Sequence, residues 1–259
     1  YSVVAGWCFY YFLATLTAPM PASVEASQAV WDGFQGGYLP VLFHAAAMGL
    51  GALAIWKGVS SIERVSKVLI PALFVIVLVA VVRAVTLPGS GAGLAFLFTP
   101  QWDLLARPST WLEALTQNAW DTGAGWGLIL TYGAYMQRQH GVVKNAFITG
   151  IGNNTVSILA AVMIFGTVFA VLGAEMSKAE ILGLMKSSGP ASTGLTFIWM
   201  PQLFARMPFG TPLGVLFFLG LSAAAFTSLI SMIELATRVF VDFGMIRRRA
   251  VGVVAGTGF

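Results

Sequence analysis

Charged residues are scarce in this chain. Only 9% of its 259 residues are Asp, Glu, Lys or Arg, against 58% hydrophobic. A soluble domain ordinarily carries about 25% charge, so a water-soluble globule is excluded. Cysteine is scarcer still. Cys8 stands alone in an apolar run, so no disulfide or thiolate metal site can be built within the chain, and it reads as a small buried apolar residue. The only histidines, His44 and His140, lie far apart. The first reads as a buried polar group and the second as a loop residue, and together they make no metal site. A solvated basic face for sequence-independent phosphate contact is lacking too, which excludes nucleic acid as a partner. No nucleophile–base pair and no phosphate-binding loop is present, so no enzymatic chemistry is implied.

What the chain has instead is long apolar runs. They recur at about 1–18, 39–56, 62–87, 111–136, 143–173 and 211–241, with the start of another at 249–259. Each approaches the roughly 20 residues that a membrane crossing needs. An all-α integral membrane protein follows, as one transmembrane domain. The chain begins at Tyr1 and breaks off in an apolar run at Phe259, so an internal piece of a longer protein is expected. Residues 18–40 read as a polar connection. Residues 174–208 read as two short helices joined at Ser188, Gly189 and Pro190, either an outer lid or an inert folded loop.

The basic residues are unevenly placed. Lys57, Arg64, Lys67, Arg138, Lys144, Arg238, Arg247, Arg248 and Arg249 follow alternate spans. Arg83, Arg107, Lys178, Lys186 and Arg206 face the other side beside most of the acids. The positive-inside rule makes the first side cytoplasmic. Glu234 and Arg238, four apart, read as an intrahelical pair or as part of an inner gate.

The run 111–136, WLEALTQNAWDTGAGWGLILTYGAYM, is broken in the middle. Asp121 is followed by Gly123, Gly125 and Gly127. An acid at mid-membrane costs roughly 2.5–3.5 kcal/mol, and each interior glycine weakens a helix by roughly 1 kcal/mol. Interrupted helices at membrane depth persist only where the freed backbone lines a protein cavity, and in transporters such breaks are where substrate and ions bind. A hard cation would take oxygen ligands. Three clusters offer them: Gln117, Asn118, Asp121 and Thr122; Asn153, Asn154, Thr155 and Ser157; Ser222, Thr227, Ser228 and Ser231. Hydroxyls of this kind also serve as glue between membrane helices. Asp121 has a plainer reading as well, as a cap on the free amides around Gly123 and Ala124.

Five segments carry a resemblance. They are YSVVAGW at 1–7, KGVSSIERVSKVLIPALFVIVLVAVVRAVTLPG at 57–89, GLAFLFTPQWDLLARPSTWLEALTQNAWDTGAGWG at 93–127, GNNTVS at 152–157 and AAFTSLISMIE at 224–234. In this order and at these separations the chain resembles the neurotransmitter:sodium symporter family, particularly its prokaryotic branch, from within the family's third span to the start of its ninth. The resemblance implies part of a LeuT-type inverted-repeat bundle with a discontinuous helix near 121–127. It implies a multi-pass protein in the plasma membrane of a prokaryote, co-transporting sodium with an amino acid or related small solute.

The resemblance also implies roles. Tyr1 falls on the tyrosine that contacts a substrate carboxylate. Trp120 matches the aromatic that closes over substrate, and Asp121, Gly123 and Trp126 lie on the unwound pocket wall. Leu229 and Met232 would face substrate. Asn153 matches a ligand of one sodium, which Asp121 would join. Ala224, Thr227 and Ser228 match ligands of the second. Gln117, Asp121, Asn153 and Ser157 correspond to the family's anion site. Most members have Ser or Thr where Asp121 stands, so Asp121 is expected to supply the negative charge that chloride otherwise brings, leaving chloride unnecessary. Ser61 stands where members often have Gly, which stiffens the start of that span. Gly123 opens space beside the walls of Trp120 and Trp126, so a hydrophobic or aromatic amino acid is expected. Two other readings stay open: a non-transporting scaffold or receptor-like relative, and a proton-coupled carrier using Asp121.

Overall fold

The computed structural model describes residues 1–137, 139, 141–187 and 194–258. Among these the regular elements are helical: α1 (Ser2–Thr17), α2 (Val24–Gln35), α3 (Leu39–Ile55), α4 (Val59–Val85), α5 (Ser90–Phe98), α6 (Pro108–Thr122), α7 (Leu128–Gly133), α8 (Val142–Leu172), α9 (Lys178–Ser187), α10 (Met200–Ala205), α11 (Gly210–Asp242) and α12 (Arg247–Thr257). A 3-10 turn at Trp102–Ala106 precedes α6, and a π turn at Leu195–Trp199 precedes α10.

Local chemistry sets the helix starts. The Ser23 hydroxyl accepts the Ala26 N–H at 3.2 Å, which caps α2. Pro40 and Pro108 open α3 and α6, where a missing N–H is no loss. Before α9, the Glu180 carboxylate accepts the Ser177 amide at 2.7 Å while the Ser177 hydroxyl faces the Glu180 amide, a reciprocal capping box. Those Ser177 hydrogen bonds hold the Glu180 carboxyl below the ordinary carboxylate range. The junction expected at 188–190 lies outside the described residues. The supposed connection at 18–40 contains α2, whose Ser27 and Phe34 are buried. Its apolar residues fall on one face, at Val30, Trp31 and Phe34.

Among the described residues α4, α8 and α11 are long and apolar enough to cross a bilayer, and α2 with α3 meets that test only as a pair bent by 70°. The helix α1 is apolar but 16 residues long. Much of α4 is apolar and exposed, including Val68, Ile70, Val75 and Val82, as suits contact with hydrocarbon.

The helix α11 is the hub. It packs against α1, α3, α4 and α12, and α4 in turn joins α8 and α5 to the assembly. Contact between α1 and α3 needs Gly6, because a Cβ there would meet the α3 backbone at Phe43 and His44 at 2.9 Å. The core holds Ile55, Phe218, Ile230, Leu203 and Val251. Phe197 of the π turn is ringed by Tyr11 at 5.0 Å, Trp31 at 5.5 Å, Trp7 at 5.9 Å and Phe218 at 6.4 Å. Each such ring pair adds about 0.5–1.5 kcal/mol beyond its area burial. The π turn at Leu195–Trp199 is therefore anchored in the bundle between α1, α2 and α11.

Candidate functional site

The run 111–136 is two helices with a turn between them. Thr122 ends α6. Gly123 lies in the left-handed region at φ 62°, its N–H bonding the Trp120 carbonyl at 3.2 Å, while the Ala124 N–H reaches the Ala119 carbonyl at 2.9 Å. That pair of bonds closes a helix around a left-handed glycine. Gly125 at φ 81° and Gly127 at φ 84° carry the chain on to α7, conformations that side-chain-bearing residues seldom adopt. Among the described residues the carbonyls of Asp121 and Thr122 accept no backbone hydrogen bond across the turn. They remain available as ligands.

The break gathers Trp120, Asp121, Gly123 and Trp126. The two indoles meet edge to face at 5.0 Å. Asp121 sits on the last turn of α6, and its carboxylate accepts the Gln117 amide at 3.1 Å. The plainer expectation for Asp121 is overturned, because the amides of Gly123 and Ala124 are satisfied by carbonyls of α6 instead. Gln117 and Asp121 stand one turn apart on an exposed face.

The far side of the break docks on α11. Gly127 approaches Leu235, and the Tyr132 hydroxyl meets Ser231 Oγ at 2.8 Å. The Thr227 hydroxyl donates to the Ala224 carbonyl at 2.9 Å, so its lone pairs stay free. Ser228 and Met232 are half-buried. Leu229 is buried, its side chain packed over Gly51 of α3, so it faces another helix. Asn153, Asn154 and Ser157 lie on an exposed stretch of α8, and no hydrogen bond links Asn153 to Asp121 among the described residues. Tyr1 is exposed at the start of α1. Ser61 sits in the first turn of α4, where its amide bonds the Gly58 carbonyl at 3.0 Å. Among the described residues no three His, Cys, Asp or Glu side chains converge as a metal set; the oxygens on offer are hydroxyls, amides and backbone.

Glu234 does not pair with Arg238 as the spacing suggests. It is wholly buried and held by the fork of Arg247 from α12, with Arg247 Nη1 at 3.0 Å from its Oε1 and Nη2 on its Oε2. The Tyr135 hydroxyl donates to the same carboxylate, and Arg247 also caps the Ile55 carbonyl of α3 at 2.9 Å. Arg238 turns outward to Asp242 at 2.9 Å and lies over the Tyr135 ring. A buried carboxylate demands a paired, hydrogen-bonded partner, and a planar guanidinium from a third helix supplies that better than an intrahelical neighbour. Tyr132, Tyr135 and Arg247 are thus functional candidates that spacing alone did not mark. The signal was there: Tyr132 in α7 and Tyr135 in the turn after it are three apart, and so are Ser231 and Glu234 on α11. His140 and Arg138 lie outside the described residues.

Comparisons with known proteins point to one family. The model of the Sodium:neurotransmitter symporter family matches residues 39–256. An uncharacterized sodium-dependent transporter of Methanocaldococcus jannaschii is 28% identical, over 97% of this chain and 52% of that protein. The uncharacterized sodium-dependent transporter YhdH of Bacillus subtilis is 31% identical, over 91% of this chain and 49% of that protein. The sodium-dependent serotonin transporter of Drosophila melanogaster is 26% identical, over 85% and 40%. Among solved structures, MhsT in complex with L-phenylalanine matches with a TM-score of 0.81 at 32% identity, over 99% of this chain and 56% of that one. The chain spans about half the length of the curated relatives it matches.

Proposed function

This chain belongs to the sodium:neurotransmitter symporter family, a family of transporters and not of enzymes, and on that premise we propose that the protein carrying it is a sodium-coupled symporter of an amino acid. Its fold is the LeuT-type helical bundle of a multi-pass integral membrane protein. The observation that carries the proposal is the break at Gly123, Gly125 and Gly127, which frees two carbonyls beside Asp121 and lays its second half against the hydroxyls of α11.

Sodium is cargo here, held by oxygen ligands. Ala224 O, Thr227 Oγ1 and Ser228 Oγ form one ligand set on α11. Asp121 and Asn153 belong to another, completed by other parts of the full-length protein. The passenger is a hydrophobic or aromatic amino acid set against Trp120, Trp126 and Met232 over the floor of Gly123, with Tyr1 toward its carboxylate. MhsT holding L-phenylalanine supports that substrate class. Sodium and solute move together because each binds one state of the alternating protein better than the other.

Asp121 makes transport independent of chloride. Two cations close together in a low-dielectric cavity need a compensating negative charge, and Asp121 supplies it where Gln117, Asn153 and Ser157 would otherwise help to hold an anion. The test is uptake of L-phenylalanine into proteoliposomes holding the full-length protein. Sodium-dependent, chloride-independent accumulation is expected, and Asp121→Ser should make it chloride-dependent. Uptake that needs chloride in the unmodified protein while Asp121→Ser is harmless would overturn the charge role. Uptake in sodium-free buffer with an acid optimum would overturn sodium coupling.

A further inference from the structure

The helix α7 touches the oxygen cluster of α11 through one hydrogen-bonded chain, and its direction can be worked out. Ser231 Oγ donates to the Thr227 carbonyl at 3.1 Å. A serine hydroxyl has one proton, so in the 2.8 Å contact between Tyr132 and Ser231 the tyrosine must be the donor. The order is Tyr132 O–H to Ser231 Oγ, then Ser231 O–H to Thr227 O. The two serial bonds from Tyr132 to Ser231 to the Thr227 carbonyl polarise and strengthen one another. Separately, the hydroxyl of the same Thr227 donates to Ala224 O at 2.9 Å.

The chain ends on the backbone carbonyl of Thr227, the residue whose hydroxyl is offered as a sodium ligand and bonds Ala224 O, the ligand beside it. A serine that bonds the carbonyl four residues back competes with the helix ladder and bends the helix locally. Ser231 acts on Thr227 in just this way, and Tyr132 holds Ser231 in the rotamer that does so. The opposite end of α7 is the glycine break, one residue after Trp126. We propose that Tyr132 and Ser231 are positioning residues that couple the broken helix to the α11 sodium site. When α7 is seated, the Ala224–Thr227 turn is held in its cation-binding shape, and when sodium is bound, α7 is held in place. The two statements are one coupling free energy seen from either end. This inference rests on the sodium reading above and adds to it which side chains make sodium and the substrate wall interdependent.

The test uses the full-length protein in detergent, titrated with sodium chloride against choline chloride while its thermal unfolding is followed. Ligands that bind the folded state raise stability by mass action, so the midpoint of that rise reports apparent sodium affinity with no substrate identified. Tyr132→Phe and Ser231→Ala should each weaken it about three- to tenfold, the worth of one buried hydrogen bond. The double variant should be no weaker than either single one, because both cut the same chain. Ser231→Thr keeps the hydroxyl and should restore ordinary affinity. A merely structural role would lower stability equally with and without sodium and leave the midpoint unmoved; that result overturns the coupling. So do additive losses in the double variant. Should Thr227→Ala and the unmodified protein alike show no response to sodium, the sodium reading itself fails, and the coupling with it.

Discussion

Replacing Arg247 by Met tests the electrostatics of the α11–α12 junction most sharply. Glu234 has no solvent exposure, and its two oxygens are met by both Arg247 Nη groups. Removing the guanidinium strands a carboxylate with only the Tyr135 hydroxyl, and breaking a buried pair from one side typically costs about 3–5 kcal/mol. The Ile55 carbonyl loses its Arg247 contacts but keeps the Gly58 N–H at 2.9 Å, so the stranded carboxylate carries the cost. Replacing both ends, Glu234→Leu with Arg247→Met, removes more contacts yet strands no charge. It leaves the Tyr135 hydroxyl without its acceptor, at about 1–3 kcal/mol for such a group, while the Ile55 carbonyl keeps the Gly58 N–H. The double variant should therefore be more stable than the single one. Hydrogen exchange at the buried Ala250 and Val251 amides of α12, in the full-length protein, reads the opening of this junction. A loss of 3 kcal/mol or more would speed exchange by over about a hundredfold. The reasoning fails if Arg247→Met costs under about 1 kcal/mol, or if the double variant is the weaker of the two.

Gly125 has open space around its missing Cβ but sits at φ 81°, so Gly125→Ala isolates backbone strain and should destabilise the break by about 1–2 kcal/mol, seen as loss of substrate affinity with the fold intact. Gly123→Ala should be worse, since a Cβ there also comes within 3.2 Å of Leu128 Cδ1; equal effects would argue against a tight wall. At α9, the lowered carboxyl of Glu180 stabilises the first turn above the ordinary carboxylate pKa, and that support disappears as pH falls through the lower folded-state value. Protection of the α9 amides relative to their intrinsic exchange at each pH should accordingly fall in acid, and Glu180→Gln should flatten that dependence; a variant with the same acid response would assign it elsewhere.

The helical class and the long runs at α4, α8 and α11 could be read from the sequence because scarce charge and 20-residue apolar stretches leave few alternatives. The break was legible for a similar reason, as three glycines in five positions after an acid cannot continue a helix cheaply. Partners across helices were not. Glu234 has Arg238 four residues on, and periodicity favours the neighbour. Which of Arg247, Arg248 and Arg249 turns inward depends on the turn at Phe243–Ile246, where Gly244 adopts φ 91°, and no pattern in the sequence encodes that geometry. Leu229 was placed toward substrate by resemblance, whereas the glycine at position 51 draws it onto α3. The α2 helix was obscured by its polar composition, although Ser23 and the spacing of Trp31 and Phe34 marked it.

Phe197 has a mechanical consequence. Its ring is the shared centre of four others contributed by α1, α2 and α11, so the segment of residues 194–205 cannot lift as a free flap. Raising it would uncork an aromatic pit and wet Trp7 and Tyr11 together. The segment is therefore pinned to α1, α2 and α11 alike, and none of these helices can shift against it without breaking a ring contact.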